Sequence, residues 1–445
     1  MGDKKVYSII VITGIILISL FLIIMNKNKL NELVGNVVEV NDRYFVVDSE
    51  DGKYKFSYLS ERDITEKSNI TIKYKGKLDE ENINKMDSYT LTKETVSIID
   101  KLESNGIFSA FYNMAKERLD EMSLDEKIGQ LLLVRVPDGD AVKAVKKYQF
   151  GGYVLFERDF RNKTKDEVYQ TIKSYQDASI VPMIMATDEE GGRVVRASSN
   201  PKLRSTPFLS SQELYKKGGL DLIAEDTIDK SKFLKDLGIN VNLAPVVDVV
   251  TDSNAYMYNR SLGEDTNTTS KYAEEVIKAS KTEDVSYVLK HFPGYSNNSD
   301  THTGTSVDTR TLDEIKENDL PPFKAGIDAM AEAVLVSHNV VESIEKDTPA
   351  SLSKNVHEML RQELGFSGVI ITDDLDMLAT KNSTDLYLNA LKAGNDMLIV
   401  TDFDEAFDSI KTAVNDNTID TETVDKAALR ILAWKYYKIL FPTKS

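Results

Sequence analysis

The amino-acid sequence predicts an α/β protein built around a (β/α)8, TIM-like barrel, preceded by a transmembrane helix and a small all-β module. Three features indicate this order: one long apolar segment near the N-terminus, then a stretch of short alternating patterns, and then eight apolar runs separated by helical patterns. We therefore predict a membrane anchor at residues 1–30, a small β region at 31–95 and a barrel at 96–445.

The composition excludes several classes of function. The chain has 445 residues and is 41% hydrophobic, which is enough to bury a substantial core. A formal charge of −17 at pH 7 repels phosphate backbones, so we expect no binding to nucleic acid. The absence of cysteine excludes disulfides, thiol nucleophiles, cysteine-ligated metal sites and a lipid-modified N-terminal cysteine.

The N-terminal segment Val6–Met25 has the length and composition of a membrane span. It is uncharged and mostly Ile, Leu and Val, and as a helix it would be about 30 Å long, the thickness of the hydrocarbon core. A cleavable signal peptide has a shorter apolar core and a small-x-small cleavage site, which is absent after Met25. Lysines on both flanks do not decide the orientation. We expect an uncleaved, single-pass anchor in the cell membrane, with residues 30–445 outside the cytoplasm.

Residues from Gly35 to about Tyr89 show the short, alternating patterns that are typical of strands. Tyr54 and Phe56 share one face of such a strand, and Asp51-Gly52 is a hairpin signal between this strand and the one before it. These patterns predict a small β-barrel or sandwich. The sequence favours a spacer over a module that binds wall material or a partner.

The rest of the chain alternates between apolar runs and amphipathic helical patterns. A helical stretch leads to Ser123-Leu-Asp-Glu126, which has the form of a capping box. Eight apolar runs follow: Gln130–Val136, Gly152–Phe156, Pro182–Thr187, Asn240–Val247, Ser286–Phe292, Ala333–His338, Val369–Asp373 and Asp396–Val400. Helical patterns fall between most of them, for example at Lys165–Tyr175 and Asn355–Leu364. A doubly wound open sheet would instead show a glycine-rich phosphate loop after its first strand, and Val134–Asp140 lacks that spacing.

Polar residues follow many of these runs, at the strand ends where barrels of this kind carry their active sites. They include Asp188 after the third run, Lys290-His291 in the fifth and Asp373 at the end of the seventh. Each has a simpler structural explanation: Lys290-His291 could form a buried ion-pair cluster, and Asp373-Asp374 could cap a helix. Taken together, many carboxylates and cations with few aromatic residues favour a carbohydrate site, because sugar hydroxyls need bidentate acceptors and cationic donors.

Two histidine-containing segments need separate interpretations. Asp300-Thr-His302 lies in a loop rich in Ser, Asn, Gly and Thr. This pair could be half of a metal site, but no second histidine lies at helical i, i+4 spacing, so we predict no metal. His357 falls within a helical pattern and is expected to be an ordinary surface residue.

From Met122 to the C-terminus the sequence resembles glycoside hydrolase family 3, in particular its bacterial β-N-acetylhexosaminidase branch. Residues Met359–Met377 are similar to the long active-site signature of that family, and the resemblance implies that Asp373 is the nucleophile. Further segments resemble the family's sugar-binding segments. They imply that sugar hydroxyls are held by Asp188, Arg196, Arg260, Lys290 and His291.

The segment Asp300-Thr-His302 resembles the acid/base dyad that the hexosaminidase branch carries on a mobile loop, so the resemblance assigns proton transfer to Asp300 and His302. Most of the family takes its acid/base from a second domain instead. We expect no such domain, since the chain ends soon after the eighth run. The sequence departs from the family after Gly294, where Tyr295–Ser299 replaces the usual His-Gly-Asp and the loop is one residue shorter.

The activity that this resemblance implies is that of a retaining exo-β-N-acetylglucosaminidase. Such an enzyme would remove terminal β-linked N-acetylglucosamine from peptidoglycan-derived glycans through a covalent glycosyl-enzyme, without a cofactor. Three alternatives remain on the sequence: a β-glucosidase-like hydrolase, a β-N-acetylglucosaminide phosphorylase of the same family, and a non-catalytic, membrane-tethered protein that binds cell wall.

Overall fold

The computed structural model describes residues 30–40, 43–49, 52–58, 69–92, 106–295, 306–377 and 385–440. The chain divides into two compact units, residues 1–101 and residues 102–445. The predicted anchor, Val6–Met25, and the predicted dyad, Asp300 and His302, lie outside the described residues. In the described part of the chain, no helix combines the length and the apolar character that a membrane span needs.

The first unit contains a six-stranded sheet in the order β5-β3-β2-β1-β4-β6. Its strands are β1 (Asn31–Val40), β2 (Tyr44–Ser49), β3 (Gly52–Ser57), β4 (Asn69–Tyr74), β5 (Ile83–Asn84) and β6 (Ser88–Thr92). Strands β2 and β3 pair antiparallel with Ser49 opposite Gly52, as the hairpin signal predicts. Gly52 has a φ of 133°, a conformation that glycine adopts without strain. Alternate side chains such as Phe45 and Phe56 point to one face and are fully buried there.

The second unit is built on an eight-stranded parallel sheet. Its strands are β7 (Leu132–Arg135), β8 (Gly152–Leu155), β9 (Ile184–Thr187), β10 (Val241–Asn242), β11 (Ser286–Phe292), β13 (Ala333–Val336), β15 (Val369–Thr372) and β16 (Leu398–Val400). The order is β15-β13-β11-β10-β9-β8-β7-β16, and a parallel bridge between Ile371 and Met397 joins its two ends into a nearly closed barrel. Each of the eight predicted runs contains one of these strands, so the prediction of a (β/α)8 barrel is confirmed.

Helices connect these strands around the barrel. They are α1 (Tyr112–Glu121), α2 (Leu124–Gln130), α3 (Ala141–Tyr148), α4 (Glu157–Phe160), α5 (Lys165–Ala178), α6 (Ser211–Asp236), α7 (Thr266–Ser280), α8 (Leu312–Asn318), α9 (Leu320–Asp328), α10 (Lys354–Glu358), α11 (Leu386–Ala393), α12 (Phe403–Asn415) and α13 (Thr421–Leu440), with a short strand pair β12 (Val307–Asp308) and β14 (Val340–Val341). The predicted capping box is present: Ser123 Oγ accepts from Glu126 N at 3.3 Å, and the Glu126 carboxylate accepts from Ser123 N at 2.8 Å.

The prediction that His357 is a surface residue is wrong. This side chain is only 2% exposed, and its Nδ1 donates to the Ser353 carbonyl oxygen at 2.7 Å. The side chain of His357 packs against Gly394, which directly follows α11. A Cβ on Gly394 would lie only 3.3 Å from the Cβ of His357, so the glycine leaves room for the imidazole. A helical period identifies the face of a helix but not the shape of the neighbour against which that face packs.

A buried lysine makes the stability of the barrel depend on pH. Lys435 lies on α13, is 3% exposed, and donates from Nζ to Gln130 Oε1 at 2.6 Å. Burial lowers the pKa of Lys435 from 10.5 to about 7. Between those two values the unfolded chain binds more protons at this residue than the folded chain does, so this residue makes the free energy of unfolding rise with pH in that window.

We expect Lys435→Met to flatten this pH dependence. The wild-type free energy of unfolding should gain up to about 1.4 kcal/mol per pH unit from this residue above pH 7, and the variant should lack that gain. Denaturant unfolding at pH 7, 8 and 9 measures the difference. Lys426→Met, which removes a partly exposed lysine from the same helix, is the control and should keep the wild-type slope. Equal slopes for wild type and Lys435→Met would contradict the argument.

Candidate active site

A cavity of about 450 Å³ opens at the C-terminal ends of the barrel strands. Six of the predicted site residues line it: Asp188, Arg196, Arg260, Lys290, His291 and Asp373. They come from the ends of β9, β11 and β15 and from the loops that follow β9 and β10. The structure therefore brings together every predicted site residue that it describes. Among the described residues, no three His, Asp or Glu side chains are grouped so that they could hold a metal ion.

Glu190 holds two of the cations at the cavity. Its carboxylate accepts from Arg260 Nε at 3.0 Å and from Arg260 Nη2 at 2.7 Å, and Lys290 Nζ lies 2.7 Å from Oε1. The same Lys290 Nζ donates to Asp188 Oδ1 at 2.8 Å. Burial acts to raise the pKa of Glu190, but Arg260 and Lys290 outweigh it and hold that pKa well below its usual range. Burial likewise acts to lower the pKa of Lys290, but the carboxylates of Asp188 and Glu190 outweigh it and raise that pKa above its usual range. Glu190 and Lys290 are therefore both charged.

Asp248 orients the imidazole of His291. Its Oδ2 lies 2.8 Å from His291 Nδ1 and 3.3 Å from the His291 peptide nitrogen, and its Oδ1 accepts from Tyr295 N at 2.7 Å. On the other side of the ring, His291 Nε2 lies 3.3 Å from Arg260 Nη2. An arginine nitrogen can only donate, so this geometry favours a proton on Nδ1 and a lone pair on Nε2. A carboxylate behind a histidine fixes both the tautomer and the direction of the ring.

Asp373 lies at the cavity wall directly after β15. Its Oδ1 accepts from the Asp374 peptide N–H at 2.9 Å. Burial acts to raise the pKa of Asp373, but the nearby imidazoles of His338 and His291, that N–H and the Lys290 ammonium together lower it below its ordinary value. The carboxylate is therefore ionised at neutral pH and available to react.

Another part of the wall contains a stacked arrangement around Phe156. The guanidinium of Arg135 lies 4.2 Å from the ring centre of Phe156, and that of Arg196 lies 5.3 Å from it. Asp374 lies 3.5 Å from Arg135, and burial raises the pKa of Asp374 to about 6. Arg196 is a predicted site residue, but Arg135, Phe156 and Asp374 were not predicted as site residues, although Arg135 lies near the end of the first apolar run and Asp374 follows the predicted nucleophile.

The sequence analysis also missed the two carboxylates that organise the site, Glu190 and Asp248. Both lie in segments that end apolar runs, so their positions at the cavity could have been expected. Their partners could not, because Glu190 and Arg260 are 70 residues apart and Asp248 and His291 are 43 residues apart. Two cations held close together at a site, such as Arg260 and Lys290, require a carboxylate partner. That requirement was the signal from which Glu190 could have been expected.

A parallel eight-stranded barrel with an ionised carboxylate and paired cations at its mouth is an arrangement that glycoside hydrolases use. The model of the family described as "Glycosyl hydrolase family 3 N terminal domain" matches residues 123–434. This match covers most of the chain, and the protein therefore belongs to glycosyl hydrolase family 3. The family predicted from the signature at Met359–Met377 is confirmed.

Characterised relatives and solved structures agree with this assignment. The beta-hexosaminidase LpqI of Mycobacterium tuberculosis is 31% identical over 330 residues, which cover 71% of this chain and 83% of that protein. Its solved structure has a TM-score of 0.65 at 29% identity, over 71% of this chain and 94% of that one. A beta-hexosaminidase of Stenotrophomonas maltophilia is 30% identical over 278 residues, covering 61% and 81%. The structure of a family 3 beta-N-acetylglucosaminidase from Paenibacillus has a TM-score of 0.67 at 27% identity, over 73% and 64%.

Proposed function

We propose that this protein is a retaining exo-β-N-acetylglucosaminidase that acts on peptidoglycan-derived glycans, with Asp373 as the nucleophile. The observation that carries the proposal is the partly buried, ionised carboxylate of Asp373 facing the same cavity as the charged groups around Lys290. A carboxylate beneath an anomeric carbon can attack it and form a covalent glycosyl-enzyme, which water then hydrolyses with net retention.

The charged network around Glu190 has the chemistry that sugar recognition needs. Asp188 offers carboxylate oxygens to vicinal hydroxyls, while Lys290, Arg260 and Arg196 offer donors. Because Glu190 and Asp248 hold these groups in place before a sugar enters, little ordering is required on binding. We therefore propose that Asp188, Arg196, Arg260, Lys290 and His291 hold the terminal sugar over Asp373.

For the acid/base we propose the dyad Asp300–His302, on the strength of the sequence resemblance alone. A free imidazole titrates near pH 6.5, so it can give a proton to the leaving oxygen and then take one from water. His302→Ala should leave kcat/KM on a dinitrophenyl glycoside, which reports only the first displacement, almost unchanged, because that leaving group needs no proton. The rate on a natural disaccharide should fall by about 10²–10⁴-fold.

The ratio of the two rates, measured for wild type, both single alanine variants and the double variant, tests the dyad. The double variant should be little worse than either single one, because the pair works as a unit. An equal loss on both substrates would mean that His302 is not the acid.

The experiment that tests the proposed activity uses the full-length protein in detergent and compares an aryl β-N-acetylglucosaminide with the matching aryl β-glucoside. We expect the first to be cleaved with much the higher kcat/KM, giving free sugar at the same rate with and without inorganic phosphate. Faster cleavage of the glucoside would indicate a β-glucosidase. A sugar 1-phosphate that forms only with phosphate would indicate a phosphorylase, and no turnover at all would favour a wall-binding protein.

We also propose that Val6–Met25 anchors the protein in the cell membrane with the barrel outside the cytoplasm, where wall fragments occur. Cell fractionation should then recover the full-length chain in the membrane fraction, and external protease should digest it in intact wall-less cells. A shortened, soluble product would contradict an uncleaved anchor.

A further inference from the structure

The tripeptide Ser337-His338-Asn339 ends β13, which lies between β11 and β15 in the barrel. Ser337 Oγ donates to the Phe292 carbonyl oxygen at 3.0 Å, and Asn339 Nδ2 donates to the Gly294 carbonyl oxygen at 3.3 Å. Both contacts hold the segment that follows Lys290 and His291. The side chain of His338 points instead to the end of β15, the other neighbouring strand, which carries Asp373.

His338 is fully buried and forms hydrogen bonds through both ring nitrogens. Its Nε2 lies 2.9 Å from the main-chain oxygen of Asp374, and its Nδ1 lies 2.7 Å from Ser351 Oγ. A peptide oxygen only accepts hydrogen bonds, so Nε2 carries a proton and donates to it. The imidazole therefore links Ser351 to the peptide immediately after the proposed nucleophile.

The turn after β15 is held on both sides of the Asp374–Leu375 peptide. Its oxygen accepts from His338, and its N–H, on Leu375, donates to the Ile399 carbonyl oxygen at 3.0 Å. The next N–H back along the chain, on Asp374, donates to Asp373 Oδ1 at 2.9 Å. The two peptides share the Asp374 Cα. A displacement of the Asp374 carbonyl that moves this Cα therefore also moves the Asp374 N–H, and the carboxylate of Asp373 then loses the contact that sets its direction.

We propose that His338 is a positioning residue that aims the carboxylate of Asp373 at the anomeric carbon by holding the main-chain oxygen of Asp374. This inference rests on the proposed role of Asp373 as the nucleophile. His338 does not line the cavity, so it acts through the peptide and does not touch the sugar. A displacement of a reacting group by about 1 Å is enough to lower a rate by about 100-fold.

A purely structural role explains the burial of His338 less well. A buried imidazole has to be desolvated at both nitrogens, and an apolar side chain of similar volume would avoid that loss. The donor on Nε2 is the feature that an apolar side chain cannot supply, and it ends at the turn of Asp373. The proposal therefore predicts that the donor matters for the reaction and not only for the fold.

Two substitutions separate the donor from the rest of the ring. In His338→Gln the amide nitrogen reaches about as far as Nε2 and can still donate to Asp374, whereas in His338→Asn the shorter amide can replace only the Nδ1 contact with Ser351. We expect His338→Asn to lower the rate of glycosylation of Asp373 by about 100-fold and His338→Gln to lower it by less than about 5-fold. His357→Gln, which alters the other fully described buried histidine outside the cavity, is the control and should keep the wild-type rate.

The readouts are the pre-steady-state burst with a dinitrophenyl β-N-acetylglucosaminide, the dissociation constant of N-acetylglucosamine, and the midpoint of thermal unfolding, all on the full-length protein. The dissociation constant should stay within about 3-fold of wild type, because the sugar contacts are untouched. Equal losses in the Asn and Gln variants, or a loss that appears in sugar binding instead of glycosylation, would overturn the proposal.

If neither histidine variant folds, Ser351→Ala keeps the ring and removes only its Nδ1 partner. We expect it to lower the glycosylation rate by about 10-fold, because an unheld ring aims its Nε2 donor less well; an unchanged rate would overturn the proposal. Failure of the proposed function would appear in the wild-type protein itself, as the absence of a burst and of a covalent sugar on Asp373. Failure of the positioning role would appear only in the comparison between variants.

Discussion

Replacing Asp373 with asparagine is expected to lower turnover of an aryl β-N-acetylglucosaminide by roughly four to six powers of ten while the barrel stays folded. Asparagine has almost the same shape, and its side-chain oxygen can still accept from the Asp374 N–H, which lies 2.9 Å from the carboxylate in the wild type. It cannot form the glycosyl-enzyme ester, so the first displacement is lost. Steady-state kinetics and a thermal unfolding curve on the same preparation measure both parts of this result.

A mechanism-based fluoro-sugar should label Asp373 in the wild-type protein, and mass spectrometry of the labelled peptide identifies the residue. Asp374→Asn is the matched control, since it changes the neighbouring carboxylate, whose pKa burial raises to about 6. It should retain the label and lose about tenfold in rate at most, because Asp374 contacts Arg135 and not the reacting carbon. Label on another carboxylate would remove Asp373 from the role of nucleophile.

The second large effect is expected for Glu190→Gln. This substitution removes the charge that holds Arg260 and Lys290. It leaves the buried Lys290 and the partly buried Arg260 with only part of their compensation. Breaking a buried ion pair from one side costs about 3–5 kcal/mol, because the remaining charge stays desolvated. We expect the free energy of unfolding to fall by about 3 kcal/mol and kcat/KM to fall by about 10²–10³-fold, mainly through weaker sugar binding.

The neighbouring Glu189 supplies the control for this prediction. Glu189 is fully buried, but its carboxylate accepts from the peptide nitrogens of Arg196 and Ala197 at 3.0 and 2.8 Å and from the Ser198 hydroxyl. Burial raises the pKa of Glu189, so an uncharged amide is a closer replacement there. For Glu189→Gln, kinetics should show less than about a tenfold fall in kcat/KM, and denaturant unfolding should show a smaller fall in the free energy of unfolding than Glu190→Gln shows. Equal losses in both variants would mean that the cations do not depend on Glu190.

Local patterns determined the architecture of the barrel and the residues that face its mouth. Each apolar run became a strand because a parallel strand that is covered on both faces must be apolar along its length. Ser123 and Glu126 formed the predicted capping box because all of its partners lie within four residues of one another. The residues at the run ends, such as Asp188 and Lys290, reached the cavity because closure of the barrel brings all the C-terminal strand ends to one side.

Only the tertiary structure decided which of these charges pair with each other. Asp188, Glu190, Arg260 and Lys290 have no neighbours in the sequence that reveal the network, since 70 residues separate Glu190 from Arg260. His338 and Asp374 are 36 residues apart, and their contact depends on β13 and β15 being adjacent in the barrel. The sequence alone brought Asp188, Lys290 and Asp373 to the site, because a strand's period and end are local properties, whereas the loop residues Arg196 and Arg260 followed only from the family resemblance. The partners depend on strand order and register, which arise only when all eight strands close together.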